Sequence, residues 1–139
     1  MNNQTSKYSL LEQLGSTGLS TVYLANLPGR PGGFVIKIFR PYLSSDRDLM
    51  ETFAENISQV SQLDHPNILR VHSKEEEEGT HWIVMEHTSN ATLGQWLKGA
   101  ISEGHVLWIL RQLIGALSFA QERGITHGDI KPGNIFIDN

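Results

Sequence analysis

The sequence predicts an α+β fold: an antiparallel sheet carrying one helix, followed by a mainly helical part. Three observations predict it. Five short runs rich in β-branched and aromatic residues lie before position 88, separated by Gly, Pro and acidic turns. One stretch between the third and fourth runs instead spaces its apolar residues as a helix does. Beyond them a long apolar-rich stretch, 103–123, ends at Gly124 and feeds a loop broken by Gly128, Pro132 and Gly133.

In chain order, Tyr8 to Leu14 and Thr21 to Leu27 read as a hairpin around Gly15 and Gly18. Pro28 to Gly33 is a turn by composition, and Phe34 to Phe39 is a strand with Lys37 inside an apolar run. After a loop at Pro41 to Ser45, Ser45 or Asp46 can cap a helix from about Asp46 to Gln62. Its expected inner face carries Leu49, Phe53, Asn56, Ile57 and Val60, with Glu51 and Glu55 opposite. Ile68 to Ser73 and His81 to Glu86 pair as strands across the acidic run Lys74 to Gly79, which reads as a solvated turn. Thr92 to Lys98 is a short helix, and Glu103 to Arg123 a long one. The apolar residues of the long helix cover too much of its circumference for a surface helix, so it needs neighbours on several sides. Ile135 to Ile137 forms a last short strand.

Composition excludes several classes. The 139 residues leave room for one domain of ordinary size, and a net charge of −4 gives no general case for nucleic-acid or membrane binding. No stretch is apolar enough to span a bilayer, and the polar N-terminus lacks a signal core, so a cytoplasmic location is expected, with an anchor beyond Asn139 left open. With no cysteine there is no disulfide, thiolate metal site or thiol nucleophile, and the six histidines form no metal-ligand cluster.

The chemistry concentrates in Ile125-Thr126-His127-Gly128-Asp129-Ile130-Lys131-Pro132-Gly133-Asn134. A carboxylate, an ammonium two residues later and a carboxamide five residues later suit phosphoryl transfer. The first takes an acceptor's hydroxyl proton, the second neutralises the moving phosphoryl, and the amide oxygen binds Mg²⁺. A polar turn between a helix and a strand is the plainer alternative.

This loop resembles the catalytic loop of protein kinases, H-R-D-x-K-x-x-N, with Gly128 where the family usually has Arg. Leu14-Gly15-Ser16-Thr17-Gly18-Leu19-Ser20-Thr21-Val22 resembles the kinase Gly-rich loop, G-x-G-x-x-G-x-V. Gly15 and Val22 fit, Thr17 and Ser20 replace two glycines, and Gly18 is extra. Val35-Ile36-Lys37 resembles the family's V-A-I-K, Asp64-His65-Pro66-Asn67 its His-Pro-Asn loop, and Trp82 to His87 the strand reaching gatekeeper and hinge. Together they resemble a Hanks-type Ser/Thr protein kinase over roughly residues 8 to 139. Residues 1–7 would be a tail, 8–87 the five-stranded N-lobe with its αC helix, and 88–139 a partial C-lobe.

The resemblance implies ATP, Mg²⁺ and a protein Ser/Thr substrate. By it, Asp129 is the general base, Lys131 stabilises the γ-phosphoryl and Asn134 is a Mg²⁺ ligand. Lys37 holds ATP phosphates, while Leu14, Gly15, Gly18, Val22, Val35, Met85 and Phe136 line the nucleotide, and Glu86 and Thr88 meet the adenine edge. Counting back from His65 places Asn56 where the family has the Glu that pairs with Lys37. That departure, Thr17 and the missing D-F-G leave a weak or inactive pseudokinase scaffold as the rival. Aminoglycoside- and choline-type kinases also carry His-Gly-Asp, but Lys131 and the His-Pro-Asn loop count against them. The chain stops at Asn139, before D-F-G, so a fragment is expected, with its missing lobe or a partner covering helix 103–123.

Overall fold

The computed structural model describes residues 7–40, 46–99 and 101–138. The loop expected at Pro41 to Ser45 lies outside them. By packing, the chain divides into two compact units. One runs up to Leu63 and resumes over Leu69–His87, and the other joins Asp64–Ile68 to the chain from Thr88 onward.

The first unit is a five-stranded antiparallel sheet: β1 (Ser9–Ser16), β2 (Ser20–Leu27), β3 (Arg30–Phe39), β4 (Val71–Glu77) and β5 (Thr80–Glu86). Helix α1 (Arg47–Val60) lies in sequence between β3 and β4, and the strand order is β1-β2-β3-β5-β4. Two turns are shorter than the sequence suggests. Gly29, at φ +79°, closes the β2–β3 hairpin with Leu27 opposite Arg30, so β3 begins before Phe34. Glu78 and Gly79, at φ 50° and 74°, form a two-residue turn of the primed kind. The run Lys74 to Glu77 is therefore strand, paired with Thr80 to Ile83, and not turn.

Alternation gives the sheet two faces. Ala25, Ile36, Trp82 and Val84 pack with Tyr8 as a buried core, with Leu10, Leu27, Phe34 and Ile38 against it. Glu75 of β4 ties that edge strand to the residues just before β1. Its Oε1 accepts from Tyr8 Oη at 2.8 Å, Lys7 Nζ at 2.9 Å and Ser73 Oγ at 2.9 Å. Burial alone would raise the Glu75 pKa, but these donors outweigh it, so the carboxyl sits below its ordinary value.

Asp46 caps α1, its Oδ1 accepting from Leu49 N–H at 3.0 Å. The half-buried arc of the helix is Met50, Phe53, Ala54, Ile57 and Val60, and Phe53 meets Phe39 of β3 edge-on with centroids 4.6 Å apart. Leu49 and Asn56 are exposed, unlike the inner face the sequence suggests. At about 100° per residue, they lie roughly 40° and 60° to one side of Phe53, whereas the buried arc extends to the other side.

In the second unit, α2 (Leu93–Trp96) begins at a capping box between Thr92 and Gln95, and α3 spans Glu103–Gln121. Gly124, at φ +74°, turns the chain after α3, and Ile125 N–H reaches the Ala120 carbonyl. Leu93, Ile109 and Ile137 form a small core with Trp96, Ile101, Leu113 and Ile135. In place of a strand at Ile135 to Ile137 there is a single bridge, Thr92 to Phe136. On α3, Val106, Leu107, Trp108, Leu110 and Ile114 remain exposed.

Candidate active site

The loop after α3 is built from short-range bonds. Gly128 takes φ +77°, a conformation that costs other residues, and turns Asp129 N–H onto His127 Nδ1 at 3.1 Å. A single 3₁₀ turn, Pro132–Asn134, then brings Asn134 back toward Asp129. Asn134 Nδ2 donates to the Asp129 carbonyl at 2.9 Å and to its Oδ2 at 3.0 Å. Lys131 Nζ reaches the same Oδ2 at 2.9 Å. Beyond the loop, Leu93 N–H bonds the Ile135 carbonyl and Ile137 N–H the Ala91 carbonyl, which anchors its far end.

Asp129 is exposed, and the Lys131 hydrogen bond, followed by that of Asn134, holds its carboxyl below the usual carboxylate value. It is therefore ionised at neutral pH. Both donors meet Oδ2, and Oδ1 has no hydrogen-bond partner among the described residues. Asn134 is likewise polarised: its amide nitrogen is engaged, while its oxygen, a hard donor suited to Mg²⁺, has no such bond. Among the described residues no three His, Cys, Asp or Glu side chains cluster as a metal site. The donors fit a magnesium ion that draws its remaining ligands from phosphate and water, as this metal ordinarily does.

The first unit carries the other candidates. Val22 of β2 stands opposite Lys37 of β3, and Val35 opposite Met85 of β5, so all four share one face of the sheet. Lys37 is half-buried and has no carboxylate partner among the described residues. Its Nζ lies 5.8 Å from the centre of the Phe39 ring. Leu14 is 48% exposed, and a methyl group added at Gly15 or Gly18 would touch nothing within 4 Å. The fold thus has no steric need for glycine at either place. Glu86 N–H is taken by the Arg70 carbonyl at 2.8 Å, so that donor is not available to a ligand. In the second unit, Thr88 is half-buried with its Oγ1 accepting from Asn90 N–H, and Phe136 is 41% exposed.

Residues 8–139 match the protein kinase domain family. The chain belongs to that family. It is 31% identical over 134 residues to the serine/threonine-protein kinase PknI of Mycobacterium tuberculosis, covering 94% of this chain and 23% of that protein. It is 33% identical over 135 residues to the serine/threonine-protein kinase PrkC of Bacillus subtilis, covering 96% and 21%. The crystal structure of the PknI kinase domain superposes with a TM-score of 0.79 at 29% identity, covering 96% of this chain and 55% of that one. The chain thus spans less than a quarter of these curated relatives and about half of the solved kinase domain. The Hanks-type Ser/Thr kinase family is the one the catalytic loop resembles. Among the described residues no helix is long and apolar enough to cross a membrane.

Two features escaped the sequence reading. Thr17 Oγ1 accepts from the N–H groups of Leu19 at 3.2 Å and Ser20 at 3.2 Å. Arg40 Nη2 donates to Ser16 Oγ at 3.0 Å. A threonine heading a turn is a known signal for the first. Nothing local announces the second, which joins residues 24 apart.

Proposed function

We propose that the protein containing this chain transfers the γ-phosphoryl of ATP to a serine or threonine hydroxyl of a protein substrate. The observation that carries the proposal is the Asp129–Lys131–Asn134 set, closed by bonds of 2.9 to 3.0 Å on a loop within the kinase-matched segment. In this reading Asp129 Oδ1 receives the acceptor's hydroxyl proton, and Asn134 keeps the carboxylate oriented. Lys131 offsets charge growing on the phosphoryl oxygens. Asn134 Oδ1 would hold Mg²⁺, which would supply neutralisation of phosphate charge. Lys37 binds the α- and β-phosphates, and Leu14, Gly15, Gly18, Val22, Val35, Met85 and Phe136 surround the nucleotide. At the adenine edge, Thr88 offers backbone groups and Glu86 its carbonyl.

A second reading is favoured by Lys37, which has no carboxylate partner among the described residues: a nucleotide-binding scaffold with little or no transfer. The full-length protein, supplied with Mg-ATP and a Ser/Thr protein acceptor, distinguishes the two. Incorporated phosphate that disappears in Asp129→Asn supports the kinase. Nucleotide binding without transfer supports the scaffold. Absence of nucleotide binding removes both.

A further inference from the structure

The Gly15–Ser20 turn holds its own amides. Thr17 N–H donates to the Ser20 carbonyl at 2.8 Å, closing the turn. The Thr17 hydroxyl then accepts from Leu19 N–H and Ser20 N–H, each at 3.2 Å, and its own hydrogen has the Ser20 carbonyl and Ser20 Oγ as weak partners, both at 3.4 Å. A hydroxyl has one donor and two acceptor sites, so Thr17 Oγ1 is fully engaged. Arg40 fixes the frame of this turn. Its backbone N–H bonds the Leu19 carbonyl at 2.9 Å, and its guanidinium bonds Ser16 Oγ at 3.0 Å and approaches the Thr17 carbonyl at 3.5 Å. The glycines on either side leave open space, so the backbone itself is approachable.

We propose that Thr17 is an internal competitor for nucleotide phosphate: its hydroxyl occupies the Leu19 and Ser20 amides that an anionic phosphate oxygen would otherwise take. The inference rests on the nucleotide-binding reading above and adds a residue that sets affinity for the phosphates. A phosphate oxygen forms charge-assisted bonds roughly twice as strong as those of a neutral hydroxyl, so it displaces Thr17 and does not share the amides with it. Displacement forfeits two long neutral bonds, each of which contributes modestly. The consequence is weaker binding of phosphorylated nucleotides than the same turn would give without the hydroxyl, and no effect on the nucleoside part. Thr17 is in this sense a positioning residue that acts through the loop amides.

The test compares wild type with Thr17→Val, which keeps the shape and removes the acceptor, and Thr17→Ser, which keeps it. Affinities of the full-length protein for adenosine, ADP and a non-hydrolysable Mg-ATP analogue are measured by calorimetry. Thr17→Val should bind ADP and the ATP analogue about three- to tenfold more tightly, with adenosine unchanged, and Thr17→Ser should match wild type. Thr17→Gly repeats the test if the valine variant does not fold. Equal affinities for all nucleotides in wild type and variants overturn the proposal while leaving nucleotide binding intact. A change of the same size for adenosine overturns it too, as a general structural effect would. Looser binding of the ATP analogue by Thr17→Val shows that the hydroxyl assists phosphate, which also overturns it. If neither wild type nor any variant binds nucleotide, the competitor and the nucleotide-binding reading fall together.

Discussion

The Asp129 loop and the Lys37 strand serve the same proposed reaction but are completed in opposite ways. Around Asp129 every bond comes from residues no more than five positions away, so the loop needs little beyond its own sequence to be ordered. Lys37 instead depends on a partner from a distant element, and none of the described residues provides one. A carboxylate–ammonium–amide set satisfies itself, whereas a lone half-buried ammonium gains most when an anion arrives. The comparison teaches that transfer and nucleotide binding should fail separately when the two regions are altered.

The largest expected effect tests that separation. In the full-length protein, Asp129→Asn should lower the transfer rate by about 10²–10⁴-fold while ATP affinity changes little. Lys37→Ala should do the reverse in kind, weakening ATP binding as well as transfer. Measured kcat and nucleotide affinity for both variants decide the matter, and a loss of ATP binding in Asp129→Asn would break the comparison. Next in size is Lys131→Met. It should cut transfer by removing charge at the phosphoryl, and it should raise the Asp129 pKa toward the ordinary 3.8 because the principal lowering bond is gone. Asp129 is ionised above its depressed pKa and loses that charge only as pH falls through it. The carbon resonance of its carboxyl should therefore titrate at higher pH in the variant. An unmoved titration would mean that the 2.9 Å contact has no electrostatic consequence.

The same contrast explains what could be read from the sequence. The loop from His127 to Asn134 was legible as a structure because its geometry is local: Gly128, Pro132 and the spacing of Asp129, Lys131 and Asn134 specify the turn and its bonds together. The five strands were legible from composition, but not their ends. The charged residues Lys74 to Glu77 disguised half of β4, because Glu75 is neutralised across the sheet by Lys7 and held by Tyr8, partners 68 and 67 positions away. The sequence puts the inner face of α1 to one side of the observed arc for a similar reason. Which apolar residues turn inward depends on β4, against which α1 packs, as well as on Phe39 of β3, and a sequence window holds neither partner.

Glu75 provides a smaller effect, on stability alone. Glu75→Gln leaves Tyr8 and Ser73 with a neutral acceptor and Lys7 without a counter-charge, and should cost about 1–3 kcal/mol in denaturant unfolding. Its folded pKa lies below the ordinary 4.5, so the contribution is present above that value and is lost as pH falls through the depressed one. Wild type and variant should thus converge in stability under acid. Unchanged unfolding at neutral pH would show that β4 and the residues just before β1 need no tie, and nucleotide binding at Lys37 should be unaffected in either case.

The smallest expected effect concerns Asn56, where the family has the acid that pairs with the strand lysine. Asn56→Glu restores the carboxylate by chemistry, but the position is exposed and lies off the half-buried arc of α1. An exposed ion pair contributes about 0.2–1 kcal/mol, because water screens both charges and two long side chains must be held still. That range corresponds to a gain of about fivefold or less in ATP affinity. Calorimetry on wild type, Asn56→Glu, Lys37→Ala and the double variant isolates the pair, since a gain owed to Lys37 vanishes when Lys37 is absent. A coupling within this range leaves Lys37 dependent on the nucleotide for its counter-charge, as its half-buried position without a carboxylate among the described residues implies. A gain well above tenfold, lost in the double variant, would require α1 to turn about its axis until position 56 faces β3. In that event the contrast between the self-completed loop and the uncompleted lysine would belong to one state of the helix and not to the fold.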